Sequence, residues 1–177
     1  QPASFNLLDD LLCEQVYRLS FWKVANEEIN YRRFFSINNL ISMKVEDEKV
    51  FEHLHMFVHH LLKEGEICGL RVDHIDGLYN PCTYLKRLRA RNQDTYIVVE
   101  KILDADETLP RDWPVQGTTG YDFLNRVNEL FCLNSNAAAI DKVYGNFTDM
   151  RASYGRLVYE KKRLIVEKQM GGEIDVL

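Results

Sequence analysis

Two short apolar runs of the sequence each end abruptly in an acidic residue: Asp73 follows residues 69–72, and Glu100 follows residues 96–99. Runs of this kind are typical of strands buried on both faces, and they leave the charged residue at the carboxyl end of the strand. The spacing between the two acids is close to the roughly 30 residues of one strand–helix–strand unit. Neighbouring parallel strands lie about 4.8 Å apart. We therefore expect the two carboxylates to lie close together at one edge of a parallel sheet.

Such a pair of acids has the chemistry of a retaining glycosidase, in which carboxyl groups about 5–5.5 Å apart act as nucleophile and proton donor. Arg71 should share the strand face of Asp73, and a guanidinium beside a carboxylate keeps it ionised, as a nucleophile requires. Partial burial and the charge of Asp73 favour the protonated form of Glu100, the candidate acid. Lys101 should point to the other face, so we assign it no part in the chemistry. The spacing alone leaves open that both acids form ordinary structural ion pairs.

The elements around these acids follow from hydrophobic periodicity. An apolar N-terminal segment precedes a clear helix, and the alternation of strand and helix then gives way to helices only. The predicted elements are strands 67–72 and 95–99, helices 45–65, 81–92, 121–133, 137–144 and 154–170, and a long loop 103–120. This prediction places Cys68 within a buried strand. Two parallel strands are too few to form an independent sheet protein with both faces covered. The chain is therefore predicted to be a piece of a larger α/β barrel.

Composition limits the function classes. The chain is 46% hydrophobic and 28% charged with a net charge of −5, which argues against binding to nucleic acid or to an anionic membrane surface. A neutral sugar fits this balance. Four widely spaced cysteines suggest reduced thiols in a cytoplasmic protein, and no apolar run reaches the length of a membrane span.

Two further sequence patterns each allow a functional and a structural interpretation. His55 and His59 have the i, i+4 spacing that zinc sites use, but no third ligand can be placed, so solvated or hydrogen-bonded histidines are the preferred interpretation. Residues 27–35 mix aromatic side chains with paired arginines. This segment either lines a sugar-binding pocket or is a surface loop whose aromatic side chains fill a neighbouring core.

The motifs themselves resemble a known family. The run Gly69-Leu70-Arg71-Val72-Asp73-His74 resembles the fourth-strand motif of the α-amylase superfamily, which carries the nucleophile, and Ile97-Val98-Val99-Glu100 resembles its fifth-strand motif, which ends in the general acid. Four segments together resemble the maltooligosyltrehalose synthase family more narrowly: residues 29–35, 73–78, 99–103 and 113–123. The most specific parts are Glu-Lys-Ile-Leu from Glu100 and Gly-Thr-Thr-Gly-Tyr-Asp-Phe from Gly117.

This resemblance implies a fold and a division of the chain. The fold would be a partial (β/α)8 TIM barrel that contains strands four and five, with a mainly helical insertion. Residues 1–44 would end a domain inserted after barrel strand three, residues 45–134 would be the catalytic barrel segment, and residues 135–177 would form a helical insertion subdomain. We expect no cofactor and no metal.

The resemblance also implies an activity: rearrangement of the reducing-end α-1,4 bond of a maltodextrin into an α,α-1,1 bond, with retention. Asp73 would attack the anomeric carbon, and Glu100 would first protonate the departing glucose and then act as base. Other residues would surround the sugar. These are Arg71, His74, Tyr31, Arg33, Thr118, Thr119, Tyr121 and Asp122.

The sequence also departs from the family pattern. A third acidic residue on a later strand and the third-strand Asn-His motif are missing, and Ser36 stands where an aspartate is expected. We therefore expect the isolated chain to lack synthase activity, or to hide its open sheet edges by self-association. The alternatives are an α-glucan hydrolase or transferase of the same superfamily, and a non-catalytic glucan-binding domain.

Overall fold

The computed structural model describes residues 5–148 and 153–175. It divides into two compact units, one built from the chain up to Ser42 together with the chain from Arg151 onward, and the other spanning Met43–Met150.

The described helices and strands alternate only in the middle of the chain. The helices are α1 (Asn6–Cys13), α2 (Ala25–Glu28), α3 (Glu48–Lys63), α4 (Pro81–Arg91), α5 (Tyr121–Glu129), α6 (Ala137–Thr148), α7 (Tyr154–Gln169) and α8 (Gly171–Asp175). The strands are β1 (Arg33–Phe34), β2 (Ile37–Ile41), β3 (Gly69–Val72), β4 (Tyr96–Val99) and β5 (Gly117–Thr118). Short 3-10 turns lie at Trp22–Val24, Ile75–Gly77 and Asn134–Asn136. No helix in the described ranges has both the length and the apolar character that a membrane span needs.

A parallel sheet of order β3-β4-β5 organises the central unit. Val72 lies opposite Val99, and Val99 lies opposite Thr118. The predicted strand–helix–strand unit is therefore confirmed as β3-α4-β4. The mixed α/β class is also confirmed, with a sheet of three parallel strands.

Two details of the sequence interpretation are corrected. Strand β5 lies within the segment predicted to be an uninterrupted loop, because a strand of only two residues leaves no periodic signal. Cys68 is exposed and precedes β3, so it is not part of a buried strand.

Helices α3 and α4 each begin after a residue whose side chain caps the first turn, and α3 begins at Glu48 and not at the predicted residue 45. The Asp47 side chain accepts hydrogen bonds from Lys49 N and Val50 N, and Asn80 accepts one from Thr83 N. Gly65 follows α3 with a φ of 74°, a left-handed conformation that glycine adopts without strain. These features define where both helices begin and where α3 ends.

The core lies between these helices and the sheet. One cluster joins Phe51, Leu88 and Ile97, and a second joins Ile75, Leu85 and Val99. Burying a large apolar side chain stabilises a fold by about 1.5–3 kcal/mol. Because Ile75 is fully buried, the turn that follows β3 is anchored in the core.

The other unit contains an antiparallel hairpin of β1 and β2. The amino-acid pattern alone predicted no regular structure for this hairpin. Phe35, in the turn between the strands, has a φ of 50°, which is uncommon for a residue other than glycine.

Candidate active site

The site is built at the carboxyl edge of the parallel sheet. Asp73 directly follows β3 and Glu100 directly follows β4. The ladder between the strands continues to this point, because Glu100 N donates to Val72 O at 2.8 Å. The structure therefore brings the two acids to the same edge of neighbouring strands, as their spacing predicted.

One guanidinium contacts both acids. Arg71 Nη1 donates to Asp73 Oδ1, and Arg71 Nη2 lies 3.3 Å from Glu100 Oε1. The hydrogen bond from Arg71 lowers the pKa of Asp73 below its usual range, and an interaction with the Glu100 carboxyl contributes in the same direction. Asp73 is therefore ionised at neutral pH, as a nucleophile must be.

The two carboxyl groups differ in their surroundings. The Asp73 side chain is 58% exposed, whereas that of Glu100 is 21% exposed. Glu100 also accepts hydrogen bonds from His74 N at 2.8 Å and from Tyr121 Oη at 3.3 Å. Glu100 is thus held by groups from three separate segments, while Asp73 faces solvent beside Arg71.

The backbone at His74 is unusual. His74 has φ 47° and ψ 46°, in the left-handed region. A Cβ atom at Gly77 would lie 2.6 Å from His74 Cε1 and Nδ1, so only glycine fits beneath the imidazole ring in this arrangement. Gly77 N donates to His74 O at 2.9 Å, which closes the turn. This turn directs the His74 N–H towards Glu100.

The segment after β5 meets the same edge of the sheet. Thr119 N donates to Val99 O at 3.0 Å, and Thr118 Oγ1 donates to Asp122 Oδ1 at 2.6 Å. The bond from Thr118 lowers the pKa of Asp122. Thr119 Oγ1 is buried and has no hydrogen-bond partner among the described residues. The four predicted residues of this segment, Tyr121 included, are thus placed around the end of β4 and β5.

Tyr31 and Arg33 belong to the other unit. Tyr31 Oη donates to Asn38 O at 2.6 Å, and Arg33 Nη2 donates to Gln169 O at 3.1 Å. Within this unit, the two side chains hold the β1–β2 hairpin and connect it to the end of α7.

The structure also reveals a cluster that sequence reasoning missed. Lys101 Nζ lies 3.1 Å from Asp76 Oδ1 and 3.1 Å from Glu107 Oε1. All three residues follow strands that end at one edge of the sheet, and this placement could have indicated the cluster. The position of Glu107 could not be predicted, because it lies in a segment without periodicity.

The histidines of α3 have structural partners. His55 Nδ1 lies 2.7 Å from Phe51 O, and its Nε2 lies 2.7 Å from Tyr84 Oη. Since both ring nitrogens of His55 are occupied, the pair with His59 is not arranged as a zinc site. Within residues 5–148 and 153–175, no group of three His, Cys, Asp or Glu side chains is placed to hold a metal ion.

A cavity of about 740 Å³ lies elsewhere, between α3 and the end of α4. It includes Thr95, which precedes β4, so it opens at the opposite edge of the sheet from the two acids. The candidate site is therefore defined by the strand-end carboxylates and not by this cavity.

Comparison with known proteins adds the family context. No family model matches the chain. Over 114 residues, 64% of this chain, it is 46% identical to proteins described as putative maltooligosyl trehalose synthases from two strains of Mycobacterium tuberculosis, CDC 1551 / Oshkosh and H37Rv. The chain spans only 15% of the length of these relatives.

Solved structures of the same kind of enzyme also match the chain. Maltooligosyltrehalose synthase from Arthrobacter ramosus matches 94% of this chain and 22% of its own, with 36% identity and a TM-score of 0.89. A structure described as DSM5389 glycosyltrehalose synthase matches 98% of this chain and 23% of its own, with 41% identity and a TM-score of 0.88. In sequence and in fold, the chain is thus similar to one segment of the maltooligosyltrehalose synthases, which confirms the resemblance carried by its strand-end motifs.

Proposed function

We propose that this chain is the segment of a maltooligosyltrehalose-forming enzyme that supplies its nucleophile and its general acid/base. One observation carries the proposal: Arg71 contacts two carboxylates at the ends of neighbouring parallel strands, in a chain similar to these synthases. The substrate would be a maltodextrin, and the product would end in an α,α-1,1-linked glucose pair.

In the first half of the reaction, the Asp73 carboxylate attacks the anomeric carbon of the glucosyl unit next to the reducing end. The bond to the leaving oxygen breaks, and the Glu100 carboxylic acid gives its proton to that oxygen. The products of this step are a covalent glycosyl-enzyme on Asp73, a free glucose and an ionised Glu100.

In the second half, the released glucose turns over and presents its own anomeric hydroxyl. Glu100 removes the proton of this hydroxyl, and the oxygen attacks the glycosyl carbon while the Asp73 carboxylate leaves. All atoms of the substrate are kept, so the reaction is an isomerisation. Exclusion of water separates this outcome from hydrolysis.

The surrounding residues have roles in this proposal. His74 and Tyr121 hold Glu100 in place, Arg71 keeps Asp73 ionised, and the segment of Thr118, Thr119 and Asp122 borders the sugar. Tyr31 and Arg33 are further sugar-binding residues in this proposal. The chain would form strands four and five of a (β/α)8 barrel, with the end of an inserted domain before residue 45 and a helical insertion after residue 134.

The test uses a graft, since we expect the isolated chain to lack the third acid that the family uses. The segment of the Arthrobacter ramosus synthase that matches this chain is replaced by residues 1–177, and the folded graft is incubated with maltopentaose. The proposal expects reducing ends to disappear. Matched grafts with Asp73→Asn and Glu100→Gln should lose turnover by several orders of magnitude, because each removes a group that acts in the transition state.

Two outcomes oppose this proposal. A graft that is folded by circular dichroism but inactive, with both acids intact, contradicts the assignment of the segment. An increase of reducing ends would instead identify a hydrolase that uses the same two carboxylates.

A further inference from the structure

The candidate reaction makes no use of Lys101, yet this side chain is the most enclosed cation beside the two acids. It is 14% exposed, and its ammonium group lies between the carboxylates of Asp76 and Glu107. Burial by itself lowers the pKa of Lys101, but the hydrogen bonds to the two carboxylates outweigh this effect and raise it. Lys101 is therefore a permanent cation at this edge of the sheet.

The two partners of Lys101 come from different connections. Asp76 lies in the turn Ile75–Gly77 after β3, and Glu107 lies in the segment between β4 and β5. Lys101 itself follows β4 and Glu100. A single ammonium group thus joins three segments that leave the same edge of the sheet.

The residue just before the turn that contains Asp76 contacts Glu100 directly. This turn begins one residue after His74, whose N–H donates to Glu100 Oε2 at 2.8 Å. The turn is short and closed by the bond from Gly77 N to His74 O. Only Ile75 separates Asp76 from His74 along the chain, so the Lys101–Asp76 contact and the His74–Glu100 contact lie in one short turn.

Removing the cation would displace Asp76. Asp76 and Glu107 side chains are 52% and 42% exposed, so both can move outward to recover hydration once no ammonium group lies between them. Two carboxylates that lose a shared cation also repel each other. Because Ile75 anchors the turn in the core, we expect these effects to loosen the turn around Asp76 and not to detach it.

We propose that Lys101 is a positioning residue for Glu100: through Asp76 it fixes the turn that holds the His74 N–H on the Glu100 carboxyl group. This inference deepens the proposed function, since it depends on Glu100 acting as the acid and base. Lys101 acts through Asp76 and His74 and has no proton-transfer step of its own.

The experiment measures hydrogen exchange of single amides in the full 177-residue chain by NMR. In Lys101→Met, we expect the His74 amide to exchange roughly tenfold faster, the size expected when one hydrogen bond to a charged group is weakened. The amides of Glu100 and Thr119, which belong to the sheet ladder, should keep their exchange rates. Lys101→Arg should restore protection at His74 to within about threefold, because it keeps the positive charge.

The matched control is Lys86→Met. Lys86 is an exposed lysine on α4 whose Nζ lies 3.6 Å from Asp112 Oδ2. Its replacement should leave the exchange rate of the His74 amide unchanged. Where Lys101→Met unfolds the chain, Asp76→Ala carries the same test, because it removes the acceptor on the turn and leaves Lys101 with Glu107.

Three results would overturn the inference. Unchanged exchange at His74 in Lys101→Met would show that the turn does not depend on Lys101. An equal increase at His74, Glu100 and Thr119 would show a general loss of stability, and an Arg variant as unprotected as the Met variant would exclude a role for the charge.

A second measurement separates this inference from the proposed function. In an active graft, Lys101→Met should lower turnover at saturating maltopentaose about tenfold with KM within about twofold, because the acid and not the binding surface is misplaced. If the graft without any substitution is inactive, the proposed function is contradicted. The hydrogen-exchange experiment on the 177-residue chain still decides whether Lys101 positions Glu100. A raised KM with turnover preserved would contradict the positioning role.

Discussion

At the scale of single residues, the ionisation of Asp73 depends on a neighbour from its own strand. Arg71 donates to Asp73 and also reaches Glu100, and all of these side chains come from two strand ends. The sequence predicted the pairing of Arg71 with Asp73 because residues two apart share a strand face, but it did not predict that Arg71 also reaches Glu100. It did not predict the backbone contact of His74 with Glu100, since a left-handed histidine has no sequence signature.

We predict that Arg71→Met raises the pKa of Asp73 towards its ordinary value of 3.8. The lowered pKa means that the contribution of this pair to stability is present above the unfolded-state pKa and is lost as pH falls through the folded-state value. Both side chains are exposed, so solvent screening keeps that contribution small. The check is a ¹³C NMR titration of the Asp73 carboxyl group.

The matched control for this titration is Arg91→Met, which removes another exposed arginine, the partner of Glu52. It should leave the titration of Asp73 unchanged. An Asp73 titration that is identical in the wild type and in Arg71→Met would refute the assigned cause.

We predict that Gly77→Ala displaces the His74 ring, because the added methyl group would lie 2.6 Å from two ring atoms. Overpacking of this kind costs about 1–3 kcal/mol. A shifted His74 ring resonance and a lower urea midpoint would be the measured signs. Gly117→Ala serves as the comparison, since nothing lies within 4 Å of its added Cβ, and an equal effect in both variants would contradict the close contact.

At the scale of elements, the sequence specified the helices and strands that carry a periodic signal, but it placed the start of α3 at residue 45 and not after its capping residue Asp47. Helices α3 and α4 begin after Asp47 and Asn80, which accept backbone hydrogen bonds as capping residues do. The β1–β2 hairpin was missed because Phe35 and Ser36 occupy its turn, where Gly or Asn is the usual signal. Strand β5 was missed because its position depends on pairing with β4, a tertiary contact that two residues cannot encode.

The contact of α3 with α4 should be sensitive to pH. His55 bonds to Phe51 O and Tyr84 Oη, and burial lowers its pKa below 6.5. As pH falls, the unfolded chain therefore takes up the proton first, and the folded state loses stability. We predict a lower urea midpoint at about pH 5.5 than at about pH 7.5, with a smaller difference in His55→Gln.

His60→Gln is the control for this comparison, because His60 is exposed on the same helix. It should keep the pH dependence of the wild type. If the wild type, His55→Gln and His60→Gln all show the same pH dependence, His55 is not the source of that dependence.

At the scale of the whole molecule, the described chain leaves much apolar surface open. Among the described residues, the fully buried large side chains are Phe51, Ile75, Leu85, Leu88, Ile97 and Val99. In contrast, Phe123 is 70% exposed, Phe131 is 84% exposed and Phe147 is 88% exposed. Soluble monomers rarely leave such side chains together in water. The sequence predicted a helix over residues 121–133 that carries Phe123 and Phe131, but not what covers these side chains, since an apolar pattern does not identify its partner surface.

We predict that the isolated chain self-associates, because these apolar side chains gain by being covered, as do the outer edges of β3 and β5, which pair with no further strand among the described residues. Sedimentation velocity should give a mass above 20.8 kDa that rises with concentration. Combined Phe123→Asp and Phe131→Asp should shift the chain towards monomer, whereas Asn128→Asp, which adds charge to a polar position of α5, should not. A wild-type chain that stays monomeric at high concentration would contradict the prediction.

The sharing of Arg71 by two acids has a consequence for how roles are assigned by mutagenesis. Substituting one acid frees part of the guanidinium, which then redistributes towards the acid that is left and changes its behaviour as well. Single-variant losses at this triad will therefore not sum, and the defect of Asp73→Asn overstates what Asp73 does alone. Only a full set of paired and triple replacements can apportion the effect among Arg71, Asp73 and Glu100.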